Sequence, residues 1–549
     1  MAEPSKSIDS ELEAEAVERL EECRRQKAEW ELDFRECYFF AAPHRSRNVS
    51  SRTATTIKPQ DAGEANTSFP CELSGDFCTV MMNTFMPEAE KWATRKAGME
   101  IPDAARPEME AQIAKSDGII FEAISASNFY SEFAKAADPD LAMGTIALWI
   151  EDSRPNEGII CQAIPLHELE GSLGPHGAPD TRFHVRHTTY RHLKALIPGV
   201  PLPAEIETKI KEKPGDKVEL RRGFWRDWES AGVCWFHVVM IGKKLVKSVK
   251  LEGAGSCPLI PARFNPMPEW FWGNGPLIKA LPDIRQLDSL AGAKTTNVDF
   301  SLRPPVSWPD DSMANVEEGI EAGFAYAVRP GSEAAIKNIY TSPSPQVAIY
   351  DQQDLKQQIK RLFYLDWPEQ RGDTPPSATQ WLDQMTMAQR RIGTPGMPFW
   401  KEGPAEFFLR FQFLLEKRGV IQAVKVDGKQ VALVPYNPAQ RAANMQEVAQ
   451  AARAIEMLAP AFPEGWKIVV DDKATIENIT KALEANRLVS IRKPEDVKAA
   501  IGQLSQLAGG QAGSAPAAAA QSGQPVPTPA AGGPAARPVE ANLRINAAG

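Results

Sequence analysis

Five of the seven histidines, His167, His176, His184, His187 and His192, fall within 26 residues, the densest group of metal-ligating side chains in the sequence. Zinc or manganese chemistry needs imidazoles and carboxylates converging on one point. The spacing works against that: on a strand, His184 and His187 differ by an odd number and project to opposite faces, as do His187 and His192. A polar, arginine-rich sheet edge carrying Arg182, Arg186 and Arg191 accounts for the group, and a metal-dependent enzyme using His167–His192 remains the remote alternative. The aromatic set Trp225, Trp228, Trp235, Phe236, Trp270, Phe271 and Trp272 could stack on bases. Cations interleave with it only at Arg221, Arg222 and Arg226. Tryptophans on neighbouring strands more often fill cores or subunit interfaces, so Trp225, Trp235, Trp270 and Trp272 are expected to be shared between core and interface.

Phosphate and acyl chemistry find no foothold. The string Ile241-Gly242-Lys243-Lys244 lacks the upstream glycine and the following Ser or Thr of a phosphate-binding loop. Nucleophile-elbow, HExxH and dinucleotide-fingerprint patterns do not occur. Asp310-Asp311 and Asp471-Asp472 sit at turn-like positions. No catalytic residue, metal or cofactor is therefore expected. The seven cysteines, Cys23, Cys37, Cys71, Cys78, Cys161, Cys234 and Cys257, are scattered without a C-x-x-C pair. They read as small buried apolar residues rather than a disulfide framework or zinc site.

Charge narrows the partners. The 549 residues carry a net charge of −9 and no long Lys/Arg run. Phosphate neutralisation supplies most of the affinity of a DNA clamp, so this is not an ordinary one. A protein that DNA slides through is still permitted, because strong attraction would hinder passage. No apolar run approaches the ~18 residues of a membrane span. The acidic, polar start MAEPSKSIDSELEAEAVERLEE has no signal-peptide pattern, and a cytoplasmic protein is expected.

The elements that must carry these residues follow from periodicity. Apolar residues at three- to four-residue steps predict helices over 9–40, 71–86 and 105–137, the last with a break near Gly118 or Asn128. The period then changes, and strands are predicted at 145–152, 158–166, 182–190, 218–228, 233–242 and 244–253. The helical period returns from Pro276, with Leu281, Ile284, Leu287 and Leu290 in register. A loop-rich stretch at 301–350 has candidate strands at 324–329 and 346–350, and 351–366 is helical again. A long helix starts near Ser377 with a kink at Gly393–Pro398, and Asp427-Gly428 marks a hairpin over 423–436. Helices are predicted at 438–458, 475–485 and from Lys493. From Gly509 the chain is Ala, Gly, Pro and Gln with almost no charge, and is expected to be disordered and dispensable for folding. The class is α+β.

Five strings in this order resemble the head-to-tail connecting protein family of podoviruses, the portal proteins. They are Phe39-Phe40-Ala41-Ala42-Pro43, SNFYSEFAKAADPDLAMGTIALWIE (127–151), PARFNPMPEWFWGNGPLIKALPDIRQLDSL (261–290), PPSATQWLDQMTMAQRR (375–391) and VPYNPAQRAANM (434–445). The likeness covers roughly 10–505. Where the family often has Tyr-Gly before its stem helix, this chain reads Trp272-Gly273-Asn274-Gly275, and the long helix starts Ser377-Ala378-Thr379-Gln380. The resemblance implies a non-enzymatic virion protein that assembles in the host cytoplasm as a ring, usually a dodecamer, at one capsid vertex. It implies an α/β wing over 1–275, stem helices at 276–300 and 351–366 and a small β-containing clip at 301–350. A tunnel loop at 367–376, a long kinked helix with a wing hairpin at 377–437, a helical crown at 438–508 and the tail 509–549 complete it. Trp367, Glu369, Arg371 and Asp373 would face the channel and its non-specifically held double-stranded DNA. Capsid protein, terminase (transiently) and tail adaptor proteins would be the partners. Another tail or baseplate structural protein is the alternative.

Overall fold

In the computed structural model, the described residues are 4–43, 45, 65–98, 101–102, 106–152, 158–302 apart from 231, 306–307, 337–338, 345–366, 391–422, 431–435, 448, 450–457, 475–476 and 479. Helix α1 (Pro4–Ala41) stops two residues before Pro43, whose ring cannot continue a helix. Helix α2 (Phe69–Phe85) carries Pro70 in its first turn and ends before Pro87. Helices α3 (Arg106–Ala126) and α4 (Phe129–Ala137) are separated at Ser127-Asn128, so of the two expected break points Asn128 is the one used. The four-residue α5 (Asp140–Met143) follows and ends at Gly144, whose φ of 113° favours glycine.

Strand β1 (Ala93–Ala97) precedes α3. Strands β2 (Thr145–Asp152), β3 (Ile159–Ile164), β4 (Leu169–Ser172), β5 (Thr181–Thr189), β6 (Lys217–Arg226), β7 (Cys234–Ile241), β8 (Lys244–Glu252) and β9 (Leu259–Arg263) make two antiparallel sheets. One has the order β4-β5-β6-β7-β8 and the other β3-β2-β9. All six predicted strands are present within two residues at each end. The short β4 and β9 were not expected: β9 is Leu-Ile-Pro-Ala-Arg, buried at every position, so it shows no alternation.

The five-stranded sheet is covered on both faces. Ala16, Leu20 and Cys23 of α1 pack on Phe183, Val185, Trp225, Val238 and Met240. Helices α6 (Tyr190–Leu196) and α7 (Ala204–Glu212) cover the other face through Tyr190, Leu193 and Ile206 against Leu220, Val239 and Ile241. The free edge of β3 is closed by side chains. The Asn128 amide pairs with both main-chain groups of Cys161 at 2.8 Å each, and Glu132 accepts the Ala163 N–H at 3.0 Å. This satisfies edge groups that would otherwise invite another strand.

Helix α8 (Pro276–Leu302), the strand pair β10 (Val306–Ser307) with β11 (Lys337–Asn338), and helix α9 (Pro345–Leu362) come next. Two expectations change here. The stretch 346–350, read as a strand, is the first turn of α9, because Pro345 can open a helix and the apolar run Val347-Ala348-Ile349 fits either period. The helical boundaries accordingly move from 300 and 351 to 302 and 345, and 324–329 lies outside the described residues. Helix α10 is described over 391–402 and passes through Gly393–Pro398 in helical form; the interruption comes at Gly403, before α11 (Pro404–Lys417). Strand β12 (Val431–Pro435) pairs antiparallel with β1, and 423–430, the other half of the expected hairpin, lies outside the described residues. The chain divides into two units, Met1–Ala451 and Ala452–Gly549; in the second, 452–457, 475–476 and 479 are helical, and the expected helix from Lys493 and the tail lie outside the described residues.

At the root of α8 the backbone runs so close to its neighbours that side chains are excluded. A Cβ on Gly275 would lie 2.2 Å from the Ala142 oxygen and 2.5 Å from the Gly144 nitrogen, all main-chain atoms that cannot swing aside. Gly275→Ala is expected to cost about 2–3 kcal/mol in urea unfolding, as overpacking against rigid neighbours does. Gly75→Ala in α2, where a Cβ meets nothing within 4 Å, is expected to be neutral or to stabilise by up to ~1 kcal/mol. Equal effects at the two sites would contradict this packing.

Candidate functional site

Helices α8 and α9 pack against each other and share the subunit's main core. Leu281, Ile284 and Leu287 are buried and Leu290 is partly buried against the same core, so the expected stem positions face inward. Leu355 and Ile359 of α9, followed by Phe363, pack into that core, and α8 and α9 lie against each other. Beyond Leu290 no described side chain of α8 is buried, and Val298 and Leu302 are 48% and 73% exposed. The helix therefore outruns the core that holds its root. The antiparallel register Val306↔Asn338 and Ser307↔Lys337 brings together the two ends of the segment between the helices.

Polar pins fix the root. The Arg285 guanidinium spans both carboxylate oxygens of Glu36 on α1. Asp288 accepts the Asn66 main-chain N–H at 2.7 Å and its side-chain amide at 3.1 Å. At the far end of α9, Arg391 of α10 donates to both oxygens of Asp366, at 2.7 and 2.6 Å, and to the Arg361 carbonyl at 3.3 Å. Trp367, Glu369, Arg371 and Asp373 lie outside the described residues. Their segment nevertheless leaves and re-enters the described chain at Asp366 and Arg391, which are clamped together. Sequence reading missed these pairs because their members are 249, 222 and 25 residues apart.

Three of the expected aromatics fill the subunit's own core. Trp225, Trp235 and Trp272 are 2%, 6% and 0% exposed, and their rings belong to the subunit's own interior. Arg19 lies over Trp225 and Arg182 over Trp235, at 5.5 and 4.5 Å from the ring centroids, which lets cations line an apolar core. Trp270 is half-buried against Trp30, and Trp228 is the exposed member, between Arg226 and His176.

Two of the histidines, His167 and His184, border the same carboxylate, Glu168, while His176 lies elsewhere. His184 is buried and its Nε2 lies 2.8 Å from Glu168, while His176 stacks edge-on against Trp228. Burial pushes the His184 imidazole below its ordinary value, against the pull of Glu168. Burial also lowers His167. Among the described residues no three His, Cys, Asp or Glu side chains converge as metal ligands would.

Where α1, α2 and α5 meet beneath the hairpin root there is a buried carboxylate that sequence reading did not find. Asp140 accepts Tyr38 Oη–H at 2.7 Å and an Arg45 N–H at 3.1 Å. Arg45 also donates to the Asp138 carbonyl, and Ser74 donates to the Asp138 carboxylate at 3.0 Å. Burial raises the Asp140 carboxyl to about 6, opposed by Arg45 and by the Tyr38 hydrogen bond.

The profile of the bacteriophage head-to-tail connecting protein family matches residues 13–487. The chain belongs to that family. It is a head-to-tail connector, a structural component of a phage-like virion. No curated protein matches it. Among solved structures it is similar to a chain in the neck of an empty gene transfer agent particle computed with C6 symmetry, at 12% identity and a TM-score of 0.34, covering 69% of this chain and 85% of that one. It is likewise similar to one in the neck of the native particle computed with C12 symmetry, at 12% identity and a TM-score of 0.34, covering 70% and 86%. In this connector the motif Trp272-Gly273-Asn274-Gly275 leads directly into α8, with Gly273 bridged to Pro266.

The Asp140 group gives a pH signature. Its folded pKa is raised, so its contribution is fully present below about 4 and is lost as pH rises through about 6. Asp140→Asn removes the titration. Between pH 7.5 and 5.0 the wild type should gain about 1 kcal/mol of unfolding free energy relative to Asp140→Asn. A difference independent of pH would mean that Asp140 does not titrate in this range.

Proposed function

We propose that this connector is the portal subunit, twelve copies of which form a ring at one capsid vertex through which double-stranded DNA is packaged and later ejected. The observation that carries the reading is the order α8, β10–β11, α9 in a head-to-tail connecting protein: two helices packed at their roots and joined through a segment closed by a short antiparallel pair. In this reading α8 and α9 are the stem around the hole, and the segment between them is the clip. The clip docks the terminase during packaging and tail adaptor proteins afterwards. The sheets with α1–α7 form the wing beside the capsid protein, 438–508 the crown, and Trp367, Glu369, Arg371 and Asp373 the channel loop. ATP is hydrolysed by the terminase, and the connector itself is not an enzyme. Assembly takes place in the host cytoplasm.

Physical chemistry supports a conduit over a clamp. A net charge of −9 releases few counterions from DNA, so affinity stays low and passage is not arrested. The Arg391–Asp366 pair ties the end of the proposed stem to the long helix that follows the loop.

Twelve copies of a 60.3 kDa chain weigh about 720 kDa, and closed heterologous contacts give one discrete size. Sedimentation velocity of the purified protein should find that species, with no ATP hydrolysis and only weak duplex binding that disappears as salt is raised. A strictly monomeric mass across salt and concentration, or nanomolar duplex affinity at physiological salt, would contradict the portal reading.

A further inference from the structure

Strand β8 is an edge of the five-stranded sheet, and it is basic. Lys243, Lys244, Lys247 and Lys250 fall within eight residues. Lys250 pairs with Asp227 at 3.1 Å, whereas Lys243, Lys244 and Lys247 have no ion pair among the described residues. On a regular strand, Lys244 and Lys247 would point to opposite faces. The register shift between Val239 and Met240 changes that: Lys247 lies opposite Val239 and Lys244 opposite Ile241. Val239 and Ile241 belong to the face covered by α6 and α7, so both lysines stand on that face.

Helix α1 covers the opposite face of the same sheet. Its outward side is mainly acidic: the exposed charged residues between 11 and 25 are four glutamates, Glu11, Glu18, Glu21 and Glu22, and one cation, Arg25. None of these four has an ion pair among the described residues. Glu18 and Glu22 are one turn apart and repel each other, which costs a helix a few tenths of a kcal/mol. Two patches of opposite sign thus sit on one chain, the lysines on the α6–α7 side of the sheet and the glutamates on the outward side of α1, whose start reaches β8 through Glu13, which accepts the Leu245 N–H.

We infer that the Lys243–Lys244–Lys247 edge of β8 is a docking surface for the Glu18–Glu22 face of α1 of a second copy of this chain. The contact joins two different surfaces, so it is heterologous, and repeating it generates a ring or an open helix rather than a two-fold dimer. It rests on the ring reading above and names the surfaces that build the ring.

Charge reversal tests it. Glu18→Lys with Glu22→Lys, and separately Lys244→Glu with Lys247→Glu, should each raise the concentration for half-assembly at 0.15 M salt by at least about tenfold, since like charges then face each other. An equimolar mixture of the two variants should assemble although neither does alone, because each supplies the surface the other needs. Circular dichroism checks that each variant is folded. If a reversal unfolds the chain, Glu18→Gln with Glu22→Gln replaces it, with a rise of about threefold expected. Variants that assemble like the wild type, or a mixture that assembles no better than its components, would overturn the docking surface and leave the ring reading standing. A wild type that never assembles would overturn both. If Lys244→Glu with Lys247→Glu abolished duplex binding while leaving assembly intact, the edge would be a polyanion site and the inference would be wrong.

Discussion

The structure depends on a place where backbone packs directly on backbone. Gly144, Gly273 and Gly275 bring the end of α5, the start of β2 and the root of α8 within a distance that admits no Cβ. Four hydrogen bonds lock it: Gly275 N–H to the Met143 carbonyl at 3.0 Å, Gly273 N–H to Thr145 Oγ1 at 2.9 Å, Phe264 N–H to the Gly144 carbonyl at 2.9 Å, and Asn274 N–H to the Asn265 carbonyl at 3.1 Å. Because no flexible side chain intervenes, the direction in which α8 leaves the sheet is set by main-chain geometry. Such a root steadies α8, whose last turns after Leu290 have no core beneath them.

Helix α1 extends that control across the subunit. Near its start Glu13 accepts the Leu245 N–H of β8, and further along Arg24 holds Glu219 of β6. Lys27 then reaches the Leu166 and Leu169 carbonyls at 2.7 Å each, Glu36 meets Arg285, and Tyr38 meets Asp140. One 38-residue helix thus ties the outer edge of the five-stranded sheet to the hairpin root. Buried cations do similar work elsewhere. Arg410 of α11 donates to the Ile150, Gly255 and Ser256 carbonyls, and burial lowers it to about 10, so it keeps its charge at neutral pH. Arg263 of β9 makes a two-pronged pair with Glu402, at 2.8 and 2.5 Å. Such groups stabilise little in sum, but losing one partner leaves a stranded charge, which makes the arrangement specific.

Much of this was legible in the sequence, for a physical reason. The strands from 145 to 253 carry β-branched and aromatic runs bounded by turn residues, and α1, α2 and α8 carry a clear helical period, so local pattern and tertiary fold agree. Leu281, Ile284, Leu287 and Leu290 were identifiable because one helical face must be apolar. Failures came where burial removes the pattern, as in β9, or where an apolar run fits both periods, as at the start of α9. Trp225, Trp235 and Trp272 read as core or interface alike, because sequence does not distinguish a ring buried by its own chain from one reserved for a neighbour; in the subunit they lie in the core. The pairs Arg285–Glu36, Arg391–Asp366 and Tyr38–Asp140 carry no local signal. Family membership was legible only through motif order; composition and residue spacing by themselves named no function.

The central claim is that the α8–α9 hairpins of many copies together enclose a channel. A single-particle reconstruction of the assembled protein tests it most directly. The account predicts one central hole with α8 and α9 of every copy around it, the Val306–Ser307 and Lys337–Asn338 pairs gathered towards one end, and the five-stranded sheets on the outside. Hairpins at the periphery, or an assembly without a central hole, would contradict it.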